Sequence, residues 1–321
     1  MVNKNQSVKD LRVGDNVDSI FAVKYKKPPR EYTSGFWFEF RVGDNSGEIT
    51  AKYWGDRNEE QVKEIYERFQ TNDIIHITGR VSEFRERLEI ALDTTSTIRR
   101  CEPSEYDIGD FVAKTSKDMD QMMRELLEIV DFVKNPHLKS LLHSFFDDPE
   151  FVEKFKNCPG SMHRHQNYIG GLIEHTLNVV KLCNSIYILH PSLDKDLLLT
   201  GAILHDIGKI KEYDVTTSID ISEEGMLRGH LIMGEQMVLD RIERLENFPD
   251  LLRLKLAHIL LSHHGHNEYG SPKKPQFPEA LAIYHADECD AKIDYCLRLK
   301  KEAETEDPWI YTKDFEHIYL R

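Results

Sequence analysis

The chain has 321 residues, of which 40% are hydrophobic and 31% charged, with a formal net charge of −14. That length suggests two domains, and the acidic balance argues against a tight, non-specific binder of duplex nucleic acid. The deficit is local, since residues 1–100 carry 17 Lys+Arg against 17 Asp+Glu, whereas residues 101–321 carry 25 against 39. No run reaches the roughly 18 apolar residues of a membrane span, and the opening MVNKNQSVKDL lacks a signal core. An odd set of five cysteines (Cys101, Cys158, Cys183, Cys289, Cys296) without a CxxC pair predicts reduced, mostly buried thiols, with Cys289 and Cys296 packed on one helix. Together these features predict a soluble, cytoplasmic protein.

Residues 1–101 read as a small β domain. VGDNVDSIFAVKYKK alternates about Val17, Ile20 and Val23 and predicts a strand, and PPREYTSG predicts a loop. GFWFEFRVGD and EITAKYWG are aromatic, β-rich runs joined by the turn signal DNSG. EEQVKEIYERF predicts a helix, after which DIIHITGRVSEF and RLEIALDTTSTIRR predict a second hairpin. Three strands, a short helix and two strands is the order of a Greek-key barrel, the OB-fold. Such barrels bind single strands by stacking bases on aromatic rings beside a basic groove. Candidate rings are Trp37, Tyr53 and Trp54, and candidate phosphate contacts are Lys24, Lys26, Arg80 and Arg85. The alternation of GFWFEF allows either Phe36, Phe38 and Phe40 or Trp37 to point inward, not both.

Residues 102–117 mix charge with Pro103 and Gly109 and no sustained period, which predicts a linker. Residues 118–321 predict an all-α bundle. MMRELLEIVDFV and HLKSLLHSFF are amphipathic bracing helices, whose His137 and His143 are expected at the surface. Gly170-Gly171 opens the helix of His175, where two glycines cost stability and point to close packing or close approach of a ligand. The helix of LLLTGAILHDIGK has Leu197, Leu198, Ala202 and Ile203 as its core face and His205-Asp206 near its end. Lys209 lies one turn beyond Asp206, within reach of a phosphate oxygen. His230 stands at a helix start, His263 and His264 at a helix end, and Asp287 on a face with Leu281 and Tyr284. Asp290 is placed to support a ligand from behind. The aromatic tail DPWIYTKDFEHIYLR is expected to pack on the bundle or on a second subunit, which allows a homo-oligomer.

Bundles build metal sites by aiming side chains from several helices at one interior point. Neutral imidazoles with carboxylates suit a first-row divalent ion, and two such ions about 3.5–4 Å apart form the usual clamp on a phosphate ester. His76, His190, His258 and His285 are read as ordinary packed or surface histidines.

GGLIEHT, LHDIGK, RGH, SHHG and YHAD, in that order on helices, resemble the HD-domain metal-dependent phosphohydrolases. With an OB-like barrel in front, and with SP-KP and PEAL-YHAD, the chain is similar over about residues 8–315 to the YhaM-type 3′–5′ exoribonucleases. The turn MHRHQNY departs from that pattern, which has two adjacent histidines before YIGG, so His163 and His165 receive no role. The resemblance implies one ion held by His175, His205, Asp206 and Asp287, with Asp206 bridging to a second held by His230 and His263. His264 would be a further ligand or a contact to the scissile phosphate. It also implies manganese, although the donors permit iron, cobalt or nickel.

The expected function is a metal-dependent 3′–5′ exoribonuclease acting on single-stranded RNA, with single-stranded DNA as a further substrate and no membrane partner. Metal-activated hydroxide would attack phosphorus, with Asp206, Lys209 and His264 as catalytic residues and His264 or a water protonating the leaving oxygen. The alternatives are an HD phosphohydrolase of small or cyclic nucleotides, a non-catalytic nucleic-acid-binding factor, and a di-iron oxygenase.

Overall fold

The structure, a computed structural model, describes residues 4–85, 87–162, 164–303 and 307–319. It divides into two compact units, Met1–Ala113 with Val215–Ile219, and Lys114–Asp214 with Asp220–Arg321.

The first unit is an OB-fold barrel. Its elements are β1 (Asn16–Lys26), β2 (Arg30–Tyr32), β3 (Gly35–Asp44), β4 (Gly47–Trp54), α1 (Glu59–Glu67), β5 (Ile74–Phe84), β6 (Arg87–Asp93) and β7 (Ile98–Arg100). Strands pair in the order β1-β3-β4-β6-β5, and β5 returns to β1, so the sheet closes and removes its own edges. The β4–β6 pair is parallel and the other pairs of the ring are antiparallel. Two expectations are refined here. The loop PPREYTSG contains β2, paired with β3, and the last predicted strand breaks at a turn where the Asp93 carboxylate accepts from Thr95.

The core settles the alternation in β3. Phe38 and Phe40 are buried and face Tyr53 and Ala51 of β4, so Trp37 faces out beside Trp54. β1 is buried on both faces, because Ile20 and Ala22 pack with Ile74, Cys101 and Phe111 outside the barrel. The stretch expected as a linker is therefore ordered. Its first part, through Ala113, groups with the barrel, and Lys114 bridges to Ile169 in the second unit.

The second unit is helical. It contains α2 (Met119–Phe132), α3 (Pro136–Phe146), α4 (Pro149–Asn157), α5 (Gly171–Leu189), α6 (Lys195–Leu204), α7 (Lys209–Glu212), α8 (Glu223–Ile242), α9 (Asp250–Ser262) and α10 (Pro278–Glu302), while of the short strands β8 (Tyr213–Val215) and β9 (Ile219–Ile221) Val215 and Ile219 group with the first unit. Side chains of Asp118, Asn135, Asp148 and Asp194 accept from the first N–H groups of α2, α3, α4 and α6, satisfying donors that a helix leaves orphaned. α6 is buried all round from Leu197 to Leu204, and α5 over most of its first three turns, which makes them the centre of the bundle. Gly170 has φ 83, and a Cβ on Gly171 would lie 2.0 Å from the Gln166 carbonyl, so the glycine pair serves a close approach.

On α10 the core face is Ala280, Ile283, Ala286 and Asp287, whereas Leu281 is 48% exposed and does not share it. Cys289 on the same helix is exposed, contrary to the expected packing, while Cys101, Cys158 and Cys183 are buried. The tail forms the hairpin β10 (Trp309–Thr312) and β11 (Glu316–Tyr319). Its Phe315 stacks on Tyr295, but Trp309, Tyr311 and Tyr319 remain more than half exposed. Among the described residues no helix is long and apolar enough to cross a membrane.

Candidate metal centre

His175 lies in the first turns of α5, His205 and Asp206 follow the end of α6, and His263 and His264 follow the end of α9. Asp287 comes from the middle of α10. Gly229 breaks α8 with φ 69, and His230 opens its second segment. The chain thus delivers five of these groups, His205, Asp206, His230, His263 and His264, at helix ends, where backbone direction changes and a side chain can turn into the interior.

Each of these five imidazoles has its Nδ1 engaged. His175 Nδ1 donates to Asp290 Oδ2 at 2.7 Å and His230 Nδ1 to Glu212 Oε2 at 2.9 Å. His205 and His263 donate to the carbonyls of Ala202 and Leu260, one turn back on their own helices, at 2.8 and 3.0 Å. His264 donates to the Tyr269 carbonyl at 2.9 Å. Acceptors on all five Nδ1 atoms leave the five Nε2 atoms to face inward.

Four of them face the carboxylate of Asp206, 2% exposed. Nε2 of His205 and His175 stand 3.4 and 3.6 Å from Oδ2, and Nε2 of His263 and His230 stand 3.4 and 3.6 Å from Oδ1. The atoms fall into two groups whose members lie within 4.8 Å of one another: His175, His205 and Asp287, and Asp206, His230, His263 and His264.

The donors fit divalent cations on three observations. His205 and His175 bring Nε2 within 3.3 Å of each other, and His230 and His264 within 3.2 Å. Two imidazole lone pairs at that distance repel unless a proton or a cation lies between them. Asp206 Oδ1 and His263 Nε2 are buried with no hydrogen-bond partner, a costly state for polar atoms that a bound ion would relieve. The set is imidazole and carboxylate without thiolate, the choice of first-row divalent ions.

The electrostatics agree. Burial would raise the Asp206 carboxyl, but the Lys209 ammonium and His205 hold it well below the usual carboxylate range. Burial would lower His175, yet hydrogen bonds to Asp287 and Asp290 raise it to about 9, so a cation would take the place of a proton there. Burial, with His263 and His230 alongside, pushes His264 down to about 3, which keeps it a neutral donor.

Two expected roles change. Lys209 is 4% exposed, with Nζ 2.5 Å from Asp206 Oδ2 and donating to the Gly160 carbonyl at 2.6 Å, so its charge is spent on the aspartate and not held out to a phosphate. His264 has its N–H on Tyr269 and its lone pair in the cluster, which suits a ligand and not a proton donor. Two further residues belong to the site. Glu212 carries His230, and His165 lies with its ring 5.0 Å from that of His175 and its buried Nε2 unpartnered. Glu212 had only its acidity as a signal, and His165 only the histidine-rich turn. His163 lies outside the described residues.

On the barrel, Trp37 stacks on Trp54 at 5.2 Å and 16°, and Tyr32 meets Trp54 edge-on at 5.1 Å. All three rings are half-buried and outside the core. Tyr53 is a correction: it is 2% exposed and stacked on Phe38 inside the barrel, closed to a base. Lys26 is another, since its ammonium sits 3.9 Å from the Tyr66 ring and donates to the carbonyls of Tyr66 and Phe69. Lys24 donates to the Thr217 carbonyl at 2.9 Å. Arg80 and Arg85 are exposed, with Arg85 over the Phe84 ring.

Comparison with known proteins finds the HD domain model matching residues 172–292 and the OB-fold nucleic acid binding domain model matching residues 23–97. A curated relative named 3′-5′ exoribonuclease YhaM, from Shouchella clausii, is 30% identical over 290 residues, which is 90% of this chain and 88% of the relative. Proteins of the same name from Bacillus subtilis and Bacillus velezensis are each 29% identical, over 88% and 94% of this chain and 87% and 92% of their own lengths.

Proposed function

The chain belongs to the family of YhaM 3′–5′ exoribonucleases, and from that premise we propose that it removes nucleotides from the 3′ end of single-stranded RNA, with single-stranded DNA as a further substrate. The observation that carries this reading is the convergence of four imidazole Nε2 atoms on the two oxygens of one buried aspartate, with His264 Nε2 beside that of His230. His175, His205, Asp206 and Asp287 would hold one divalent ion, and Asp206, His230, His263 and His264 a second, with manganese first and iron, cobalt or nickel compatible. Such a pair supplies an activated water at neutral pH and neutralises charge on the phosphoryl oxygens.

The chain's own groups prepare that site. Asp206 offers one oxygen to each half, and Lys209 keeps its carboxylate ionised and immobile. Asp290, Glu212 and three carbonyls fix the imidazole tautomers, so the donor atoms need no rearrangement. On the barrel, Trp37 and Trp54, joined by Tyr32, are the rings open to stacking on bases, with Arg80 and Arg85 for phosphates. Free cysteines at all five positions support a reducing, cytoplasmic setting.

The test is digestion of one single-stranded RNA carrying its label at either the 5′ or the 3′ end, after chelation and stepwise return of manganese. The reading expects a 5′-labelled ladder shortening from the far end, and a 3′ label released at once as mononucleotide. No cleavage is expected before metal is restored. Hydrolysis of mononucleotides without strand shortening would assign the site to small nucleotides, and metal-indifferent binding without cleavage would leave a binding factor.

A further inference from the structure

The two halves of the centre are supported by different carboxylates, and the support of one half has an unusual form. With φ 69 and ψ 155, Gly229 divides α8, and the second segment begins at His230. The first N–H groups of a helix have no partner within it, and Gly229 has no side chain to supply one. Glu212, at the end of α7, takes that place from outside. Its Oε1 accepts from the His230 backbone N–H at 3.0 Å while its Oε2 accepts from His230 Nδ1 at 2.9 Å. One carboxylate therefore fixes both the backbone and the ring of the same residue.

The surroundings are equally constrained. Glu212 is 8% exposed. The turn after Asp206 is pressed against the same point, since a Cβ on Gly208 would lie 2.0 Å from the His230 carbonyl. His230 is thereby held near Asp206 Oδ1 by contacts that do not involve His175, His205 or Asp287.

We propose that Glu212 is the positioning residue for the half of the centre formed by Asp206, His230, His263 and His264, and that the other half, where Asp290 carries His175, does not depend on it. The inference rests on the two-cation reading. A carboxylate behind a metal-ligating histidine typically accounts for about 10–100-fold in metal affinity, enough to empty one half while the other stays filled.

The experiment is equilibrium dialysis of the full chain against manganese, with bound ions counted and the electron paramagnetic resonance spectrum recorded. Wild type is expected to hold two ions per chain with a coupled-pair spectrum. Glu212→Gln keeps the shape of the side chain but loses an acceptor, and should retain one ion, weaken the other by about 10–100-fold and show the signal of isolated manganese. Gly229→Ala leaves the carboxylate in place but cannot comfortably keep φ 69, and is expected to give the same single-ion result, which covers a Gln variant that fails to fold. Glu212→Gln or Gly229→Ala holding both ions at wild-type affinity, or a folded Glu212→Gln losing both together, overturns the inference. A wild-type chain that binds only one ion fails the two-cation reading instead, so the two failures are distinguishable.

Discussion

The metal centre and the aromatic face of the barrel both join residues far apart in sequence, but their surroundings constrain them very differently. In the helical unit each of the five converging imidazoles has Nδ1 fixed by a named acceptor, and the shared aspartate is buried against a lysine. On the barrel, Trp37 and Trp54 are held by stacking on each other, by the edge-on Tyr32 and by cross-strand pairing, and their rings stay half-buried. The first arrangement is preorganised for an ion of fixed geometry. The second is tolerant, as the proposed stacking of successive bases of any sequence would require.

Substitutions can break or sharpen that contrast, and the largest effect belongs to Asp206. Asp206→Ala should remove both ions and lower kcat on single-stranded RNA by on the order of a thousand-fold or more, because several kcal/mol of charge stabilisation are lost. It also strands the buried Lys209 charge, which should cost about 3–5 kcal/mol of stability. Asp206→Ala combined with Lys209→Met is then expected to recover much of the melting temperature and none of the activity.

Next comes Tyr53, which separates packing from binding. Tyr53→Ala should destabilise the barrel by about 3–5 kcal/mol in denaturant melts, whereas Tyr53→Phe, which keeps the ring against Phe38, should bind RNA as wild type does. Trp54→Ala reverses that pattern. It should weaken RNA binding by about 1–3 kcal/mol, measured by fluorescence anisotropy, with ion content unchanged. If Tyr53→Phe loses binding and Trp54→Ala does not, the assignment of faces is inverted.

The last effect is on protons. In the metal-free chain the His175 pKa is raised from 6.5 to about 9, so its contribution to stability is fully present below about pH 6.5 and is lost as pH rises through about 9. Urea midpoints in chelator from pH 6 to pH 10 should fall across that window, and manganese binding below it should release a proton.

Much of the architecture was legible in the sequence because its signals are local. The turn DNSG and the order of β-rich runs pointed to the closed barrel, and histidines at the ends of apolar helices pointed to one interior site. What was not legible depended on burial or on tertiary contact. Strand alternation allowed either Phe38 or Trp37 inside, and the choice follows from Tyr53 packing opposite Phe38. The spacing of Lys209 from Asp206 was readable, but not that burial would turn its ammonium back onto the aspartate. The helix start at His230 was readable from RGHL, but not that Glu212, one turn after Lys209, would accept from both its backbone N–H and its ring.

One measurement bears most directly on the shared aspartate. Crystals grown with manganese, with data collected for anomalous scattering, should show two peaks per chain flanking the Asp206 carboxylate, one toward His175, His205 and Asp287 and the other toward His230, His263 and His264. A single peak, or none at Asp206 with the cluster otherwise intact, would contradict the account.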